Sequence, residues 1–407
     1  MPAFANDIDV STKAPDELIV AYDFDDADRQ QEFANLAAEV HGLHPDQAGI
    51  ISVGTDIGFD TADHWCPGPA SLSMFGHRAD ARRTIRADAL RQRGLLRRHV
   101  NVVIIDEGLD RKTIPPGNWG GGLNWFRNPE NNVIVGSASR TSHGMMIARS
   151  ILDLAPEAVL YDVPLIPERI GSIDDFFAGS SSAQAVLQVI LDEIDARRHH
   201  PRWAGPWVFV NAWAIFDRAT EHPPGNYTEN GADDGHPFVN KVIDMVGARK
   251  FDVIFAAGNC GAFCPSGRCG ALDRGPGHSI WGANALPDAI TTGAVLADET
   301  WAGYSSQGPG PAVNGLAHDK PDLCAPSDFC ETYDAAVRNS GTSTACAVAA
   351  GVVAALRSNS AWSQAAVPPS ILKEALTSSA RLTHGPGWNG RLGYGILDAG
   401  AVMDKLP

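Results

Sequence analysis

The stretch NSGTSTACAVAAGVVAAL, from Asn339 to Leu356, decides the fold of this 407-residue chain. A short turn, Gly341-Thr342-Ser343, leads into a run of alanine and valine with one cysteine, which is typical of a buried helix. Serine is a preferred N-cap residue, so Ser343 has a structural interpretation as the cap of that helix. It also has a functional interpretation, as a nucleophile held at a helix N-terminus. This stretch alone leaves both interpretations open.

The composition is that of an ordinary soluble globular protein, with 44% hydrophobic and 20% charged residues. A formal net charge of -16 argues against a general binder of nucleic acid or anionic membranes. The sequence has no run of about 18 apolar residues, so no membrane span is expected. The first residues lack the pattern of a secretory leader, and seven cysteines is an odd number. A reducing, cytoplasmic location is therefore expected.

Apolar runs typical of buried strands alternate with helical segments along most of the chain. Strands are predicted at 101–108, 158–166, 207–216 and 251–259, and helices at 143–154, 183–198 and 237–250. Strands that alternate with helices of 10–15 residues indicate an α/β fold whose parallel sheet has helices on both faces.

The N-terminal part is predicted to be separate from this main domain. Strand patterns at 18–24 and 49–54 flank a helical pattern, and a stretch rich in turn formers follows at 63–76. We therefore predict a small α/β appendage with its linker at 1–75 and a main domain at 76–407. The segment 77–99 contains eight arginines. It is interpreted either as a docking patch for an acidic partner or as a helix lying against an acidic body.

Four polar residues lie at the ends of these predicted elements. The strands VVII and FDVIFAAG are followed by Asp106 and Asn259, and the helices HGMMIA and STACAVAAG begin with His143 and Ser343. Taken singly, each residue has a structural explanation, such as a cap or a turn former. Ligands of parallel α/β sheets bind outside the carboxyl ends of the strands. Together the four supply a carboxylate, an amide donor, a base and a nucleophile, which is the set that acyl transfer requires.

With these motifs in the order Asp, His, Ser, the chain resembles the subtilisin-like serine proteases (subtilases, peptidase S8 family). The matching segments are VVIIDEGLD, SHGMMIARSILDLAPEAVLYDVPLI, FAAGN and SGTSTA, and the resemblance extends over roughly residues 85 to 400. It implies a subtilisin-like fold and a serine endopeptidase that acts on proteins or peptides through an acyl-enzyme. It implies no required cofactor.

The resemblance also implies a role for each of the four residues. Ser343 would attack the scissile carbonyl, His143 would take its proton and pass it to the leaving amine, and Asp106 would orient His143. The Asn259 side chain and the Ser343 backbone N–H would form the oxyanion hole.

The substrate-binding residues implied in the same way are Trp213, Ala214 and Gly258. Members of the family usually have a serine and glycines after the strand that lines the first specificity pocket, whereas this chain reads VNAWAIF at 210–216. Bulky side chains there are expected to reshape or narrow the groove. Trp213 is interpreted either as a wall of the groove or as plain packing.

Two departures from the family pattern leave alternatives open. Glu107 stands where the family has serine or threonine, and it would raise the pKa of Asp106 if the two carboxylates were close, although we expect it to point away. Ala347 stands where the family has proline, four residues after the nucleophile. Its presence keeps open a transpeptidase or peptide ligase that uses the same triad. A non-catalytic regulatory subtilase homologue is a third alternative, against which the intact set of four residues argues.

The cysteines and the appendage also carry alternatives. Cys260, Cys264 and Cys269 match a metal site only weakly, and a local disulfide or plain loop thiols fit them equally well. Cys324 and Cys330 could form a second pair. Subtilases often carry structural calcium, but no loop here is acidic enough to assign ligands, and no metal-binding residue is predicted. Residues 1–75 lie where subtilases often carry a prosegment, so we predict an intramolecular inhibitor or chaperone, with a permanent accessory domain as the alternative.

Overall fold

The computed structural model describes residues 60–62, 76–95, 99–123, 134–166, 180–221, 236–313, 316–383 and 385–407. Its α-helices are α1 (Arg78–Thr84), α2 (Asp88–Gln92), α3 (His143–Leu154), α4 (Ser180–Arg197), α5 (Pro237–Gly247), α6 (Gly341–Arg357) and α7 (Pro369–Ser379). Its strands are β1 (Asp60–Thr61), β2 (Asn101–Asp106), β3 (Trp119–Gly122), β4 (Val159–Pro164), β5 (Trp207–Asn211), β6 (Trp213–Ala214), β7 (Asp252–Ala256), β8 (Ile290–Val295), β9 (Ala312–Val313), β10 (Leu316–Ala317), β11 (Leu323–Pro326), β12 (Phe329–Cys330) and β13 (Arg338–Asn339). The predicted strands at 18–24 and 49–54 lie outside the described residues, so the division at residue 75 stays a prediction.

Seven of the described strands form one parallel sheet, in the order β11-β8-β7-β5-β2-β4-β3. The central strands are buried along their whole length, which is why they read as continuous apolar runs rather than as alternating patterns. The predicted parallel α/β sheet is confirmed.

Helices cover both faces of the sheet, as predicted. On one face α6 packs against α3 and against the sheet, and on the other face α4 packs against α5. Each helix buries an apolar side against the strands, and the two hydrophobic clusters are separated by the sheet itself. None of the described helices combines the length and the apolar character needed to cross a membrane.

A buried ion pair fixes the position of α6 on the sheet. The Arg357 guanidinium near the end of α6 donates to both carboxylate oxygens of Asp252 at the start of β7, at 2.7 and 2.6 Å. Both side chains are fully buried, and the guanidinium also donates to the carbonyls of Trp362 and Val367. A buried charge is tolerated when it is paired and fully hydrogen-bonded, as here. The helix that begins near Ser343 is therefore held at its far end.

The segment 207–216, predicted as one strand, is two strands in the structure. β5 belongs to the large sheet, and β6 leaves the sheet after Ala212 and pairs with β1 instead. The break has a physical cause, because the Ala212 carbonyl accepts hydrogen bonds from the Ala62 N–H (3.0 Å) and the Ser343 hydroxyl (2.8 Å). It is therefore not available to a neighbouring strand of the sheet.

The arginine-rich segment forms α1 and α2, which lie against acidic side chains of the main domain. Arg78 pairs with Glu331, Arg82 with Asp153 and Arg86 with Asp398. This arrangement is the one expected for a helix lying on an acidic body, so these described arginines already have partners within the chain.

Candidate active site

Asp106 and His143 come together at the carboxyl edge of the sheet. Asp106 is the last residue of β2 and is fully buried, and His143 is the first residue of α3. The His143 Nδ1 lies 2.7 and 2.9 Å from the two carboxylate oxygens. Because a carboxylate accepts, Nδ1 carries the proton, and Nε2 is left as the basic nitrogen of the ring. This tautomer is the one that a general base needs.

Glu107 turns its carboxylate to the N-terminus of α3. Its Oε2 accepts the His143 backbone N–H at 2.8 Å, while its own N–H donates to Asp106 Oδ1 at 2.8 Å. The side chain is buried at a helix N-terminus, where the helix dipole favours an anion. The same helix start is fixed by the N-cap Ser142, whose hydroxyl donates to the Gly108 carbonyl at 3.0 Å. Glu107 thus connects the strand that bears Asp106 to the helix that bears His143.

Replacing Glu107 with glutamine keeps the size of the side chain and removes its charge. Because the imidazolium of His143 then loses a nearby anion, the acid limb of the kcat/KM profile is expected to move to lower pH. The kcat is expected to fall by about three- to tenfold as the helix start loosens. The pH profile and the kcat should both be measured against Glu157→Gln, the same change at an exposed position. A profile identical to the wild type would show that Glu107 is only a structural residue.

A further carboxylate, which sequence reasoning missed, holds the loop after Asp106. Asp162 of β4 accepts the backbone N–H of Leu109 at 3.1 Å and that of Gly136 at 2.8 Å. Burial raises the pKa of Asp162 to about 7, and the nearby charge of Asp106 acts in the same direction. The sequence signal for this residue is that a carboxylate interrupts the apolar strand AVLYDVPLI, because a buried Asp is uncommon without hydrogen-bond partners.

Ser343 is the third residue of α6, not its N-cap, which is Ser340. The first backbone N–H groups of a helix have no carbonyl partner within the helix. Here the Thr342 N–H donates to Asn259 Oδ1 at 3.0 Å, and the Ser343 N–H donates to the Ala62 carbonyl at 3.3 Å. The first turn of α6 therefore carries both the Ser343 side chain and the Ser343 N–H, which donates outside the helix.

The orientation of the Asn259 amide follows from its hydrogen bonds. Its Oδ1 accepts from the Thr342 N–H and from the Thr342 hydroxyl (2.9 Å), so Nδ2 must face the other way. That nitrogen donates to the Ala62 carbonyl oxygen at 2.5 Å. Asn259 and the Ser343 N–H thus converge on one oxygen atom, with the geometry expected of an oxyanion hole.

The oxygen at this point belongs to a segment that sequence reasoning did not single out, Asp60-Thr61-Ala62. β1 runs antiparallel to β6, with Asp60 opposite Ala214 and Thr61 opposite Trp213. Ala62 and Asn259 are 197 positions apart in the chain, and nothing in the sequence of the segment indicates their contact.

The predicted substrate-binding residues Trp213, Ala214 and Gly258 differ in which of their atoms face the segment Asp60-Thr61-Ala62. The Trp213 side chain is fully buried, with its ring centroid 5.3 Å from that of Phe255 in the core, so only its backbone runs along Thr61. Successive side chains of a strand point to opposite faces, so Ala214 points away from the face of Trp213. The Ala214 Cβ lies 3.2 Å from where a side chain at Gly258 would begin, and Gly258 has a φ of +99°. Position 258 therefore requires glycine.

Helix α6 is continuous through the position of Ala347. α6 runs without a break from Gly341 to Arg357, and Ala347 is fully buried within it. The neighbouring Cys346 is also buried, and burial raises the pKa of its thiol far above the usual value. Cys346 is therefore a packed side chain and not a competing nucleophile.

Of the alternatives for the loop after Asn259, the structure has the disulfide. Cys260 and Cys269 are bonded to each other, and Cys264 is disulfide-bonded as well. The pairing considered for Cys324 and Cys330 is wrong, because both are buried free thiols. Within the described part of the chain, no group of three His, Cys, Asp or Glu side chains is arranged to hold a metal ion. That catalysis needs no cofactor stays a prediction.

This fold is that of a hydrolase of the serine peptidase class, and its helix α6, which carries Ser343, packs against α3, the helix that begins with the Asp106-bound His143. Residues 98–395 match the model of the Subtilase family, Peptidase_S8. The chain therefore belongs to the subtilase family, which confirms the resemblance seen in its motifs. The roles of the individual residues stay predictions.

Solved structures agree with this assignment at the level of the fold. A structure of MycP1 from the ESX-1 type VII secretion system matches with a TM-score of 0.51 and 16% identity, over 86% of this chain and 91% of that chain. A structure of a lanthipeptide protease matches with a TM-score of 0.54 and 17% identity, over 84% of this chain and 97% of that chain. Comparison with curated proteins gives no match.

Proposed function

We propose that the chain is a serine endopeptidase that cleaves peptide bonds through an acyl-enzyme on Ser343, and that its N-terminal region restrains it through Asp60-Thr61-Ala62, which occupy the place of a substrate. The observation that carries the proposal is the position of one atom. The Ala62 carbonyl oxygen accepts from Asn259 Nδ2 and from the Ser343 N–H, as a scissile carbonyl oxygen would.

The first chemical step follows from the hydrogen bonds of Ser343. Its hydroxyl donates to the Ala212 carbonyl at 2.8 Å, so it must rotate before its proton can pass to His143 Nε2. As the proton leaves, Oγ attacks the carbonyl carbon, a C–O bond forms, and the electron pair of the C=O bond moves to oxygen. The Asp106 carboxylate stabilises the imidazolium that results.

The tetrahedral intermediate then collapses towards the acyl-enzyme. The C–N bond breaks, and the imidazolium returns its proton to the leaving amine. A water molecule, deprotonated by the same imidazole, then attacks the ester carbon; the C–Oγ bond breaks, the imidazolium returns its proton to Oγ, and the acid is released. Asn259 and the Ser343 N–H stabilise the negative oxygen in both halves of the reaction, because their dipoles are already oriented by Thr342 and by the helix.

The restraining role of the N-terminal region is supported by the backbone of β1. The Ala62 N–H donates to the Ala212 carbonyl at 3.0 Å, and Asp60 and Thr61 pair with β6 in an antiparallel register. An extended peptide that adds a strand beside the nucleophile occupies the space that a substrate needs. In this position the peptide bond after Ala62 is the one presented to Ser343.

The proposal is tested by incubating the full chain and the full chain with Ser343→Ala, and by measuring intact masses. We expect the wild type to yield a fragment that begins at Asp63, and the variant to stay whole. A second variant, Ala62→Pro, removes the N–H that donates to Ala212, so it should expose Ser343 and react faster with a fluorophosphonate.

Two outcomes would decide against the proposal or change its form. Cleavage after Ala62 in the Ser343→Ala chain would show that another group or another protease is responsible. If added amines are incorporated at the carboxyl end of residues 1–62 in preference to water, the enzyme is a transpeptidase, the alternative that Ala347 leaves open.

A further inference from the structure

We infer that Arg268 selects an acidic side chain at the third residue before the scissile bond, an inference that rests on the proposed function. Its starting point is the segment Asp60-Thr61-Ala62, which lies in the groove as a substrate strand would. If the bond after Ala62 is the one presented to Ser343, Asp60 is the third residue before it. The environment of Asp60 then shows what the enzyme recognises at that position.

Asp60 uses its two carboxylate oxygens on different partners. Its Oδ1 accepts the Thr61 backbone N–H at 2.7 Å, and its Oδ2 lies 2.6 Å from the Arg268 Nη1. An asparagine in this place would direct its NH₂ group at one of these two donors, so a carboxylate fits both and an amide fits only one. In the antiparallel register Asp60 stands opposite Ala214, whose small side chain leaves the approach open.

Arg268 is held by the main domain, and not only by Asp60. Its guanidinium lies 4.0 Å from the centre of the Phe216 ring, and its Nε donates to the Ser266 hydroxyl at 3.2 Å. A cation over an aromatic face loses little further freedom when an anion binds to it. The groove therefore presents a positioned cation before a substrate arrives.

The loop that carries Arg268 is hydrogen-bonded to Asn259. It is closed by the disulfide between Cys260 and Cys269, and the Ser266 N–H donates to the Asn259 carbonyl at 2.9 Å. Where the loop ends, the Gly270 N–H donates to the Phe216 carbonyl at 2.9 Å. The distance from the catalytic centre to the guanidinium is thus set by covalent and hydrogen-bonded links.

A second arginine near this loop is already committed to a carboxylate of the main domain. Arg218 lies 2.5 Å from Asp273 Oδ1 and 3.9 Å from the centre of the Trp281 ring. Asp273 is buried, so this pair is a fixed part of the wall. Arg268 is the arginine whose guanidinium meets the bound strand.

Solvent limits how strongly Arg268 can favour Asp over Asn at the third residue before the scissile bond. The side chains of Arg268 and Asp60 are 34% and 27% exposed, so their attraction is partly screened. We expect a preference of about three- to tenfold for Asp over Asn in kcat/KM, and a smaller one at 1 M salt.

The inference is tested with three peptides of the sequence Xaa-Thr-Ala-Asp, cleaved after Ala, that differ only in having Asp, Asn or Lys at Xaa, the third residue before the scissile bond. The enzyme is the full chain with Ala62→Pro, so that its own segment Asp60-Thr61-Ala62 competes less with the peptides.

The Arg268→Gln variant should lose the preference for Asp over Asn, and the Arg268→Glu variant should prefer the peptide with Lys. Arg391→Gln is the matched control, because the Arg391 guanidinium lies over the Trp301 ring, 4.9 Å from its centre, and not on Asp60, so the change should leave the preference unchanged. Cleavage of all three peptides at one rate by the wild-type groove would overturn the inference alone, and cleavage of none would overturn the proposed function with it.

A binding measurement that needs no catalysis tests the inference about Arg268 separately from the proposed function. In the full chain with Ser343→Ala, hydrogen exchange of the Ala62 amide reports how firmly the segment is bound, since that N–H donates to Ala212. Arg268→Gln or Asp60→Asn should each speed the exchange about three- to tenfold, and the two together should have no larger effect. The exchanged pair Asp60→Lys with Arg268→Glu should restore slow exchange, which also shows that the loop still folds. If neither single change alters the exchange, Arg268 does not recognise Asp60.

Discussion

Replacing Ser343 with alanine is expected to lower kcat for peptide hydrolysis by about 10⁴- to 10⁶-fold, the scale of losing the nucleophile in subtilisin, a member of the same family. The change removes only the Oγ, which is the atom that would form the acyl-enzyme. The Ser343 N–H and Asn259 remain in place, so substrate binding and part of the oxyanion stabilisation should survive. The loss should therefore appear in kcat, with KM changed little.

An uncleaved N-terminal segment would itself block the groove, so both proteins should carry Ala62→Pro. Ser340→Ala is the matched control, because it makes the same substitution three residues earlier, at the N-cap, where the side chain makes no capping hydrogen bond. It should keep kcat within about twofold. Labelling by a fluorophosphonate must disappear with Ser343→Ala and persist with Ser340→Ala. Labelling that survives in the Ser343→Ala chain would assign the nucleophile to another residue.

The parts of the site that the sequence predicted are those fixed by local structure. Asp106 ends a strand and His143 begins a helix, and both positions follow from where an apolar run stops or a helical period begins. The parallel sheet then brings the ends of its strands to one edge, so the meeting of these two residues could be expected from topology.

The parts that the sequence did not predict depend on contacts between distant segments. The predicted strand 207–216 is interrupted at Ala212 because the Ala212 carbonyl accepts hydrogen bonds from Ala62 and Ser343, which lie far away in the chain. A continuous apolar run carries no sign of such a break. The direction of the Trp213 side chain could not be read either, since it depends on where the break falls and hence on which residues share a face.

Replacing Asn259 with alanine is expected to lower kcat by about 10²- to 10³-fold, with a small change in KM, on the scale known for the corresponding donor in subtilisin. The Nδ2 donor lies 2.5 Å from the Ala62 carbonyl oxygen, which is the position proposed for the substrate oxygen, and negative charge would grow at that position only as the tetrahedral intermediate forms. An interaction that strengthens on the way to the transition state changes kcat more than KM.

Thr342→Val provides a graded comparison with Asn259→Ala. The Thr342 hydroxyl donates to Asn259 Oδ1 at 2.9 Å and accepts the Gly258 N–H at 3.1 Å, so valine leaves the amide donor present but less firmly oriented. We expect kcat to fall by roughly three- to tenfold in this variant, far less than with Asn259→Ala. Both should be measured with Ala62→Pro present, beside the thermal unfolding midpoint of each protein. If Asn259→Ala raised KM and left kcat unchanged, Asn259 would only bind the substrate, and the oxyanion hole would have to be assigned to the Ser343 N–H and other donors.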